Sequence, residues 1–252
     1  MIIKTKYPEL FIFVSTAEDG DMSEQTAGVA AGAENYTKFL KKTGIDDKPL
    51  YFLHVLHSDK VTEYPLGPDY HGEENTKTWP FEDIAEFIDT DAVVTDKRGT
   101  YFALGYGDCN PVVMYDHKKS VLGYAHCGWR STVKDLHLRV LSRMTERFGT
   151  DPADVCVTFG PAIRPDSYGF RDRPSQADIP GWEDHITFDG ALYHIDLAGY
   201  MRSTLISAGV PAEEIAMPLA DTYKDDRFFS HYKAMQEGLP DARFILGCGI
   251  IR

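Results

Sequence analysis

The order of apolar segments in the middle of the chain is the feature that most constrains the fold. Short segments rich in β-forming residues follow one another closely there: Ala92–Thr95, Tyr101–Tyr106, Pro111–Tyr115 and Ser120–Ala125. One amphipathic helix is predicted after them, over Ser131–Phe148, with Gly149 as its C-cap. Because strands and helices do not alternate in a steady β-α-β rhythm, the sequence predicts an α/β or α+β fold with mixed sheets.

The outer segments add elements on both sides of this region. Strands are predicted over Leu10–Thr16, Pro49–Val61, Val155–Phe159 and Phe244–Ile251. Helices are predicted over Glu34–Thr43, ended by Gly44, and in Gly190–Ala208 after a strand-like stretch. The polar segments Ala17–Glu24 and Asp69–Lys77 are predicted to be loops. The sequence contains no repeat and no low-complexity linker.

The charge balance excludes several classes of partner. The chain has 252 residues, with 26 Lys and Arg against 39 Asp and Glu, which gives a net charge of −13. Nucleic acids and anionic membranes bind clusters of Lys and Arg, so neither is expected as a partner. The sequence shows no apolar run near the length of a membrane span and no signal peptide, so we expect a cytoplasmic protein.

The cysteines are too few and too scattered for a disulfide framework. They are Cys109, Cys127, Cys156 and Cys248, and no two of them form a Cys-x-x-Cys pair. We expect reduced thiols, as is usual in the cytoplasm. Any of these thiols that lies in a pocket is then a candidate metal ligand or nucleophile.

A strand that ends in a tight turn presents the first candidate residues. The run Gly105–Pro111 begins like a dinucleotide-binding fingerprint, but Asn110 stands where the third glycine should be. The better interpretation is a strand whose C-terminal end carries Asp108 and Cys109, because α/β proteins place reactive groups at strand ends. The alternative is a buried structural cysteine, which is common for this residue type.

The segment Ala125–Arg130 provides the second candidate. His126 ends an apolar strand, a glycine turn follows, and a helix begins near Arg130. The free N–H groups of a helix start and the fixed charge of Arg130 together suit an anion such as phosphate. The alternative is an arginine that pairs with surface carboxylates beside a tryptophan that fills the core.

Two histidines, His54 and His57, make the third candidate. If both lie on one strand, their side chains point to opposite faces, so only one can line a given site. His57, Cys109 and His126 together would offer two imidazoles and one thiolate. That donor set suits Zn²⁺ with its fourth position open, as in catalytic zinc sites, provided that the fold brings the three strand ends together.

Two further segments carry weaker signals. Gly160–Pro165 is a rigid turn that holds Arg164. Arg227–Lys233 mixes aromatic residues with cations and includes Phe229 and His231. This second segment is able to stack a base, or only to close the core.

The motifs together resemble a known family. Asp91–Leu136 resembles the central signature of the YfiH-type laccase-domain family, also called multicopper polyphenol oxidoreductases or peptidoglycan editing factors. That signature joins an Asp-Cys-x-Pro-Val turn, here Asp108–Val112, to an Ala-His-x-Gly-Trp-Arg helix start, here Ala125–Arg130. Further matches lie at His57 with Val61, Gly160–Ile163 with Pro165 and Tyr168, Ala208–Val210, Phe228–Ser230 and Arg243–Ile245. The similarity extends from about Tyr51 over most of the chain.

The resemblance implies a fold, a metal and an activity. It implies a single layered domain over residues 1–252, with mixed β-sheets flanked by helices. It implies Zn²⁺ held by His57, Cys109 and His126. Copper chemistry is a poorer match, because a multicopper centre needs more convergent ligands and the nine histidines form no His-x-His pair. The resemblance also implies an activity, namely phosphorolysis of adenosine, inosine, guanosine or methylthioadenosine, with deamination of adenosine by some members of the family.

This interpretation assigns roles to residues of the matching motifs. Cys109 and His126 lie at the catalytic centre, Asp108 orients a ligand or moves a proton, and Arg130 holds phosphate. The expected substrate contacts, besides Arg130, are Arg164, Phe229 and His231. A small nucleoside and phosphate are therefore the expected partners, and zinc is the expected cofactor.

The chain departs from the family pattern around the substrate. The family has Gln-Val-His-Gly where this chain has Val55–Ser58, and Thr-Ala where it has Tyr106–Gly107. An arginine expected after Thr16 is replaced by Ala17, and His231 stands where tyrosine is usual. The metal set is retained, so the sequence is identified as a divergent member whose substrate pocket has changed.

Two other functions compete with the phosphorylase. A cysteine hydrolase would use Cys109 as nucleophile and His126 as base on an amide, such as a peptidoglycan precursor. A non-catalytic protein would bind a nucleoside or a metal without turnover, as the altered residues at Ala17 and Tyr106 suggest. The sequence does not indicate the preferred nucleoside or the oligomeric state.

Overall fold

A computed structural model describes residues 1–67 and 86–251 of the chain. The strands in these residues are β1 (Ile2–Ile3), β2 (Leu10–Val14), β3 (Leu50–His54), β4 (Val61–Tyr64), β5 (Glu86–Asp89), β6 (Ala92–Thr95), β7 (Tyr101–Tyr106), β8 (Asn110–Asp116), β9 (Val121–Cys127), β10 (Val155–Phe159), β11 (Gly169–Phe170), β12 (Ile186–Phe188), β13 (Tyr193–Ile195), β14 (Ile215–Ala216) and β15 (Phe244–Ile250). The α-helices are α1 (Glu24–Ala27), α2 (Val29–Thr43), α3 (Trp129–Val133), α4 (Leu136–Phe148), α5 (Leu197–Ser207) and α6 (His231–Glu237).

The described strands form two six-stranded sheets and a smaller three-stranded one. The first sheet has the order β1-β2-β15-β7-β3-β5, the second has the order β14-β10-β8-β9-β6-β4, and the third has the order β11-β13-β12. Parallel pairs, such as β3 with β7 and β4 with β6, occur beside antiparallel pairs, such as β8 with β9. The predicted α+β fold with mixed sheets flanked by helices is therefore confirmed.

Alternation along the strands explains why the layers stack as they do. In β2, Ile12 and Val14 pack with the second sheet, whereas Phe13 packs with Phe39 on α2. In the second sheet, one face joins this same intersheet core and the other packs against α4 and α5. All seven residues of β8 and of β9 are buried, because both faces of these strands are covered. The layers run from α2 through the two sheets to α4 and α5.

The predicted strand Pro49–Val61 is wrong in one important respect. β3 ends at His54 in the first sheet, and β4 begins at Val61 in the second sheet, so the chain crosses between the sheets from Val55 to Lys60. The apolar residues on either side gave no sign of this crossing. The crossing is held instead by a long-range contact, in which the Asp91 carboxylate accepts hydrogen bonds from the backbone N–H groups of Leu56, His57 and Ser58.

The predicted helix Ser131–Phe148 is also wrong, because it is two helices. α3 ends at Val133 and α4 begins at Leu136. Between them Asp135 adopts a left-handed conformation with φ of 56°, which aspartate tolerates better than most residues. Its carboxylate accepts a hydrogen bond of 2.9 Å from the Tyr200 hydroxyl on α5.

Other predicted boundaries hold closely. The helix that ends at Thr43 is capped by left-handed Gly44, as predicted, but it begins at Val29 rather than Glu34. Gly149 caps α4 as predicted, and β8 and β9 form the predicted hairpin. Ala17–Asp19 forms a 3-10 turn within the predicted loop, whereas the predicted loop Asp69–Lys77 lies outside the described residues. No helix among the described residues is both long and apolar enough to cross a bilayer.

Candidate metal-binding and active site

A cavity of about 450 Å³ opens at the end of the sandwich where the chain crosses between the two sheets. His57 lies on the crossing from β3 to β4, Cys109 lies between β7 and β8, and His126 lies near the end of β9. All three line this cavity. The structure therefore brings together the residues that the sequence proposed as a metal set, although no continuous motif joins them.

Asp91 holds the crossing that carries His57. Its carboxylate accepts hydrogen bonds from the backbone N–H groups of His57 and Ser58, each at 2.8 Å, and a longer one of 3.3 Å from Leu56. The Ser58 hydroxyl donates a further bond at 2.6 Å. Consecutive N–H groups that surround an anion form a nest. This nest holds His57 in its left-handed conformation, with φ of 54°, and so aims the imidazole at the cavity.

His126 is the most deeply buried member of the group, with 2% of its surface exposed. Its ring centroid lies 5.2 Å from that of His57. The distance from its Nδ1 to Oδ1 of Asp91 is 3.7 Å, which is too long for a hydrogen bond. Nδ1 is buried and has no hydrogen-bond partner among the described residues.

The charges around these groups shift their pKa values. Burial lowers the pKa of His126, but the negative charges at Cys109 and Asp91 outweigh burial and raise it to about 9. Desolvation and the neighbouring His126 lower the pKa of His57, and the positive charges of Arg130 and Arg243 add to this effect. Burial by itself would raise the pKa of Asp91, but the nearby His126 and the hydrogen bonds that Ser58 donates lower it overall.

The turn before Cys109 depends on Asp108, which does not line the cavity. Asp108 has a left-handed backbone with φ of 76° and is 6% exposed. Its carboxylate accepts hydrogen bonds from the Thr222 hydroxyl and the backbone N–H of Tyr232, both at 2.6 Å. Burial raises its pKa, and these hydrogen bonds oppose that shift. Its contacts thus join the Cys109 turn to the start of α6, and its predicted role toward a ligand stays a prediction.

Space for the Cys109 thiol comes from a neighbouring glycine. A Cβ atom on Gly128 would lie 3.0 Å from Sγ of Cys109. Cys127, one residue before Gly128, points to the opposite face of β9 and is fully buried in the core beneath α4. Burial raises the pKa of the Cys127 thiol. The two cysteines therefore lie in different environments, as strand alternation predicts.

Two arginines and a further histidine also line the cavity. Arg130 and His231, both predicted, line it together with Arg243, which the sequence reasoning did not assign. Nδ1 of His231 lies 3.0 Å from Oδ1 of Asp241, and the Arg243 guanidinium also pairs with that carboxylate. A Cβ at Gly107 would lie 3.3 Å from the backbone nitrogen of His231. The departure from the family pattern at Gly107 thus leaves room beside His231.

Two predicted substrate contacts lie elsewhere. Arg164 is exposed and donates a hydrogen bond of 2.6 Å to the carbonyl oxygen of Pro218. Phe229 is half-buried and packs against the intersheet core. Neither residue lines the cavity, so their roles in substrate binding stay predictions. By contrast, His54 does line it, so the expectation that only one of His54 and His57 could face a site is wrong.

The residues present fit a metal ion. The ligand atoms of His57, Asp91 and His126 all lie within 4.8 Å of one another, and the Cys109 thiol is beside His126. Two imidazoles with a thiolate or a carboxylate are donors that bind zinc well. The buried, unpartnered Nδ1 of His126 is a further sign of a missing ligand. Asp91 is the residue that sequence reasoning missed, although it begins the family signature directly before a buried strand.

Solved structures with the same fold support this architecture. The crystal structure of a hypothetical protein YfiH from Bacillus licheniformis matches with a TM-score of 0.75 and 23% identity, over 97% of this chain and 94% of that one. YlmD from Geobacillus stearothermophilus matches with a TM-score of 0.77 and 19% identity, over 98% and 93% of the two chains. At these identities the likeness establishes the fold alone.

Curated relatives carry enzyme names. A purine nucleoside phosphorylase, YlmD of Bacillus subtilis, is 31% identical over 151 residues, which are 56% of this chain and 53% of that protein. One from Bacteroides thetaiotaomicron is 31% identical over 164 residues, or 62% and 59% of the two proteins. An adenosine deaminase from an unknown prokaryotic organism is 29% identical over 142 residues, which are 53% of each protein. The chain thus matches little more than half the length of each.

The family itself is recognised over most of the chain. The model of the multi-copper polyphenol oxidoreductase laccase family matches residues 21–241. These residues include every cavity-lining residue except Arg243, and with them the two segments that carry His57 and Cys109 from the first sheet to the second. The chain belongs to the multi-copper polyphenol oxidoreductase laccase family.

Proposed function

We propose that this protein is a zinc-dependent purine nucleoside phosphorylase, which converts a nucleoside and phosphate into a free base and a sugar 1-phosphate. The observation that carries the proposal is the single cavity that joins two imidazoles and a thiol to the side chains of Arg130 and Arg243. Metal donors and anion-binding groups are the parts that such a reaction needs. The names of the curated relatives agree with this chemistry.

The proposed metal ligands are His57, Cys109 and His126. The Asp91 carboxylate already accepts several hydrogen bonds from the crossing at Leu56–Ser58, so we assign it to positioning His57 rather than to the metal. Bound there, zinc would act as a Lewis acid toward an oxygen of the substrate or of phosphate. Imidazole and thiolate suit zinc, and the set is too small for a multicopper centre.

Phosphate is proposed to bind among Arg130, Arg243 and His231. Arg130 lies over the ring of Trp129, with its guanidinium carbon 4.5 Å from the ring centroid, which limits its motion. Asp241 holds Nδ1 of His231 and leaves the other ring nitrogen for a ligand. Two guanidinium groups near one anion match phosphate in charge and in hydrogen-bond geometry.

The proposed reaction exchanges one bond at the sugar for another and moves one proton. A phosphate oxygen forms a bond to C1′ of the sugar as the bond from C1′ to the purine nitrogen breaks. HPO₄²⁻ loses its proton on becoming the ester, and the purine gains one proton as it leaves. His231, held by Asp241, is the residue that we assign to accepting the proton from phosphate; the leaving purine takes a proton from water, and His231 then returns its own proton to solvent. Asp108 is proposed as a positioning residue, since it holds the turn of Cys109.

The test supplies purified protein with zinc and measures products from adenosine, inosine, guanosine and methylthioadenosine with phosphate. We expect free base and sugar 1-phosphate in equal amounts. Arg130→Ala is expected to raise KM for phosphate by about tenfold or more, which is the size of one lost charged hydrogen bond. Arg98→Ala is the matched control, because Arg98 bonds to Ser120 at the other end of β7 and should leave KM unchanged. No phosphate-dependent product from zinc-loaded protein would contradict the proposal.

A phosphate-free arm tests the deaminase activity that one relative's name suggests. Inosine formed from adenosine without phosphate would assign deamination to this cavity. Thermal stabilisation by a nucleoside without any product would instead indicate a binding protein without turnover.

A cysteine hydrolase is the second candidate, and one observation favours it. His126 lies between Cys109 and Asp91, in the order nucleophile, base and carboxylate that a hydrolase requires. Thiol labelling separates the two functions. A phosphorylase with zinc on Cys109 should label slowly until a chelator removes the metal, whereas a hydrolase should label rapidly in either state and cleave an amide without zinc.

A further inference from the structure

The helix that carries Arg130 is too short to hold its own position. α3 has only five residues, and an isolated helix of this length is not stable in water. Its first turn is fixed by two fully buried hydroxyl groups. The Ser131 hydroxyl donates to the carbonyl oxygen of His126 at 3.0 Å. The Thr132 hydroxyl donates to the carbonyl oxygen of Gly128 at 2.8 Å. These bonds hold the start of α3 to the end of β9, so the direction of the helix axis depends on how its other end is held.

The other end of α3 leads to an aspartate in an unusual conformation. Asp135 stands at the N-cap of α4, where an aspartate usually has an extended backbone and its carboxylate accepts an N–H of the helix that follows. Here the backbone is left-handed, with φ of 56° and ψ of 37°, and the carboxylate makes no such cap. It accepts instead the hydrogen bond of 2.9 Å from the Tyr200 hydroxyl. The residue that breaks the helix is thus tied to α5 rather than to α4.

Tyr200 is a firmly packed anchor for this bond. It is 6% exposed, and its ring stacks on that of Trp182, with the centroids 3.9 Å apart and the planes at 13°. The rings of His185 and His137 meet it edge to face, at centroid distances of 5.6 and 6.0 Å. Burial and the Asp135 carboxylate raise the pKa of Tyr200 to about 12, so its hydroxyl stays protonated and donates at neutral pH. The carboxylate of Asp135 is therefore held by a ring that is itself packed on three sides.

Two arrangements of the helices compete at this point. The apolar spacing over residues 131–148 favours one continuous helix, and a left-handed backbone is unfavourable for a residue with a side chain, although less so for aspartate. In a continuous helix the turn that carries Arg130 would follow the axis of α4 and change its place relative to the cavity. The bond from Tyr200 to Asp135 favours the broken arrangement, in which Arg130 lines the cavity.

We infer that Tyr200 is a positioning residue for the anion that Arg130 binds, because its bond to Asp135 sets the direction of α3. The inference rests on the proposed function and deepens it, since it names a residue outside the cavity on which the affinity for phosphate depends. Tyr200 does not line the cavity, so it acts through the helix break and not by contact with the anion.

Binding of inorganic phosphate to zinc-loaded protein tests this role without any need for turnover. Calorimetric titration should show phosphate affinity about three- to tenfold lower in Tyr200→Phe than in wild type, which is the range for residues that act on a site through packed neighbours. Tyr115→Phe is the matched control, because it removes another buried hydroxyl, whose bond of 3.0 Å goes to the Glu9 carboxylate outside the cavity. Its phosphate affinity should equal that of wild type. Equal affinity in Tyr200→Phe and wild type, or no phosphate binding to wild type, overturns the inference.

Variants of the partner residue separate positioning from a general loss of stability. Asp135→Asn keeps an oxygen acceptor and a residue that tolerates the left-handed backbone, so it should bind phosphate at least as well as wild type. Asp135→Ala removes the same bond from its half-buried end and should weaken binding at least as much as Tyr200→Phe. It also replaces Tyr200→Phe in the test if that variant does not fold. Equal losses in Asp135→Asn and Asp135→Ala would contradict the inference.

A double variant tests whether the effect passes through Arg130. Added to Arg130→Ala, Tyr200→Phe should cause no further loss of phosphate affinity, because the group that it positions is gone. A further loss of the same size as in wild type would show that Tyr200 does not act through Arg130.

The outcomes distinguish this inference from the proposed function. In an active enzyme, Tyr200→Phe should raise KM for phosphate and leave kcat and zinc content unchanged. Phosphate binding that depends on Tyr200 without phosphorolysis would retain the inference and reject the proposed function. Phosphorolysis with a phosphate affinity that ignores Tyr200 would retain the proposed function and reject the inference.

Discussion

Two buried histidines, one at the cavity and one in the helical layer, show what distinguishes the site from the core. His126 is 2% exposed at the end of β9, and its pKa rises to about 9, because the negative charges at Cys109 and Asp91 outweigh burial. His137 is fully buried on α4, where its Nε2 lies 2.8 Å from Oγ1 of Thr204, and burial lowers its pKa to about 3. Both histidines are buried, so the neighbouring charges account for the difference between their pKa values.

The comparison separates chemical use from structural burial. A buried imidazole with only a hydroxyl partner stays neutral and packs, whereas one between a thiol and a carboxylate is electrostatically prepared to bind a cation. Cys109 and Cys127 also differ in place, because Cys109 lines the cavity and Cys127 is buried in the core beneath α4. Variants that change the cavity and leave the core intact, or the reverse, test this distinction.

The largest effect is expected at the thiol of Cys109. Cys109→Ser should lower zinc affinity by about 100-fold or more and abolish turnover with it, because a hydroxyl is a much poorer zinc ligand than a thiolate. Cys127→Ser should keep both metal and activity at a modest cost in stability, since Cys127 lies in the core. Elemental analysis of the purified variants measures the zinc content.

The histidine pair provides an independent version of this test. His57→Ala should empty the site, whereas His54→Ala should retain zinc, because Nδ1 of His54 is engaged 2.7 Å from Asp89. If Cys127→Ser or His54→Ala folds but no longer binds one zinc ion per chain, the assigned ligands are wrong.

The next effect concerns the nest around Asp91. Asp91→Asn should weaken zinc binding about 10- to 100-fold, which is typical when a group that orients a ligand is removed. An amide cannot accept all the N–H groups of the crossing, so His57 would lose its position. Cobalt-loaded protein separates the roles, because a thiolate bound to cobalt gives a charge-transfer absorption. We expect that band in Asp91→Asn and not in Cys109→Ser; a band lost in Asp91→Asn alone would contradict the assignment.

A smaller effect is expected at His137 in the helical layer, on the pH dependence of the free energy of unfolding. Because the folded pKa of His137 is lowered, the unfolded chain binds an extra proton below about pH 6.5, and the folded chain does not do so until about pH 3. His137 therefore lowers the free energy of unfolding as pH falls through this window, by up to about 1.4 kcal/mol per pH unit. Urea unfolding at pH 6.5, 5.5 and 4.5 (roughly even steps across the window) should show a shallower pH slope for His137→Asn. Equal slopes would show that His137 does not resist protonation.

The smallest effect is expected at Gly128. A methyl group there would lie 3.0 Å from Sγ of Cys109, so Gly128→Ala should displace the thiol slightly. We expect zinc affinity to fall a few-fold, on the order of 1 kcal/mol, with little change in the free energy of unfolding. A competition titration with a chromogenic chelator measures the change. Unchanged affinity would indicate that the thiol is not held in place from this side.

The sequence predicted the local elements better than the contacts between them. The β8–β9 hairpin, the caps at Gly44 and Gly149 and the cysteine alternation follow from periodicity over a few residues. The break in Pro49–Val61 does not, because it depends on Asp91, which lies 34 residues after His57. The break at Asp135 likewise depends on Tyr200, 65 residues away.

The candidate site shows the same limit. Motif resemblance grouped His57, Cys109 and His126 and identified Arg130 and His231, all of which line the cavity. It gave no reason to choose Arg243, whose charge reaches the cavity from the start of β15, although the family's arginine after Thr16 is missing here. It also named Arg164 and Phe229 as substrate contacts; neither lines the cavity, and these two roles stay predictions.

The positions of the three proposed ligands relative to the two sheets have a mechanical consequence. His57 and Cys109 lie on segments that run from the first sheet to the second, and His126 belongs to the second sheet. A metal ion bound by all three side chains would hold the two sheets together at this end of the sandwich. Loading it should slow amide hydrogen exchange at this end of β3, β7 and β9 more than at the far end, because only fluctuations that part the sheets here must first release it. Binding of the metal would then rigidify this end of the molecule and complete the proposed active site in one event.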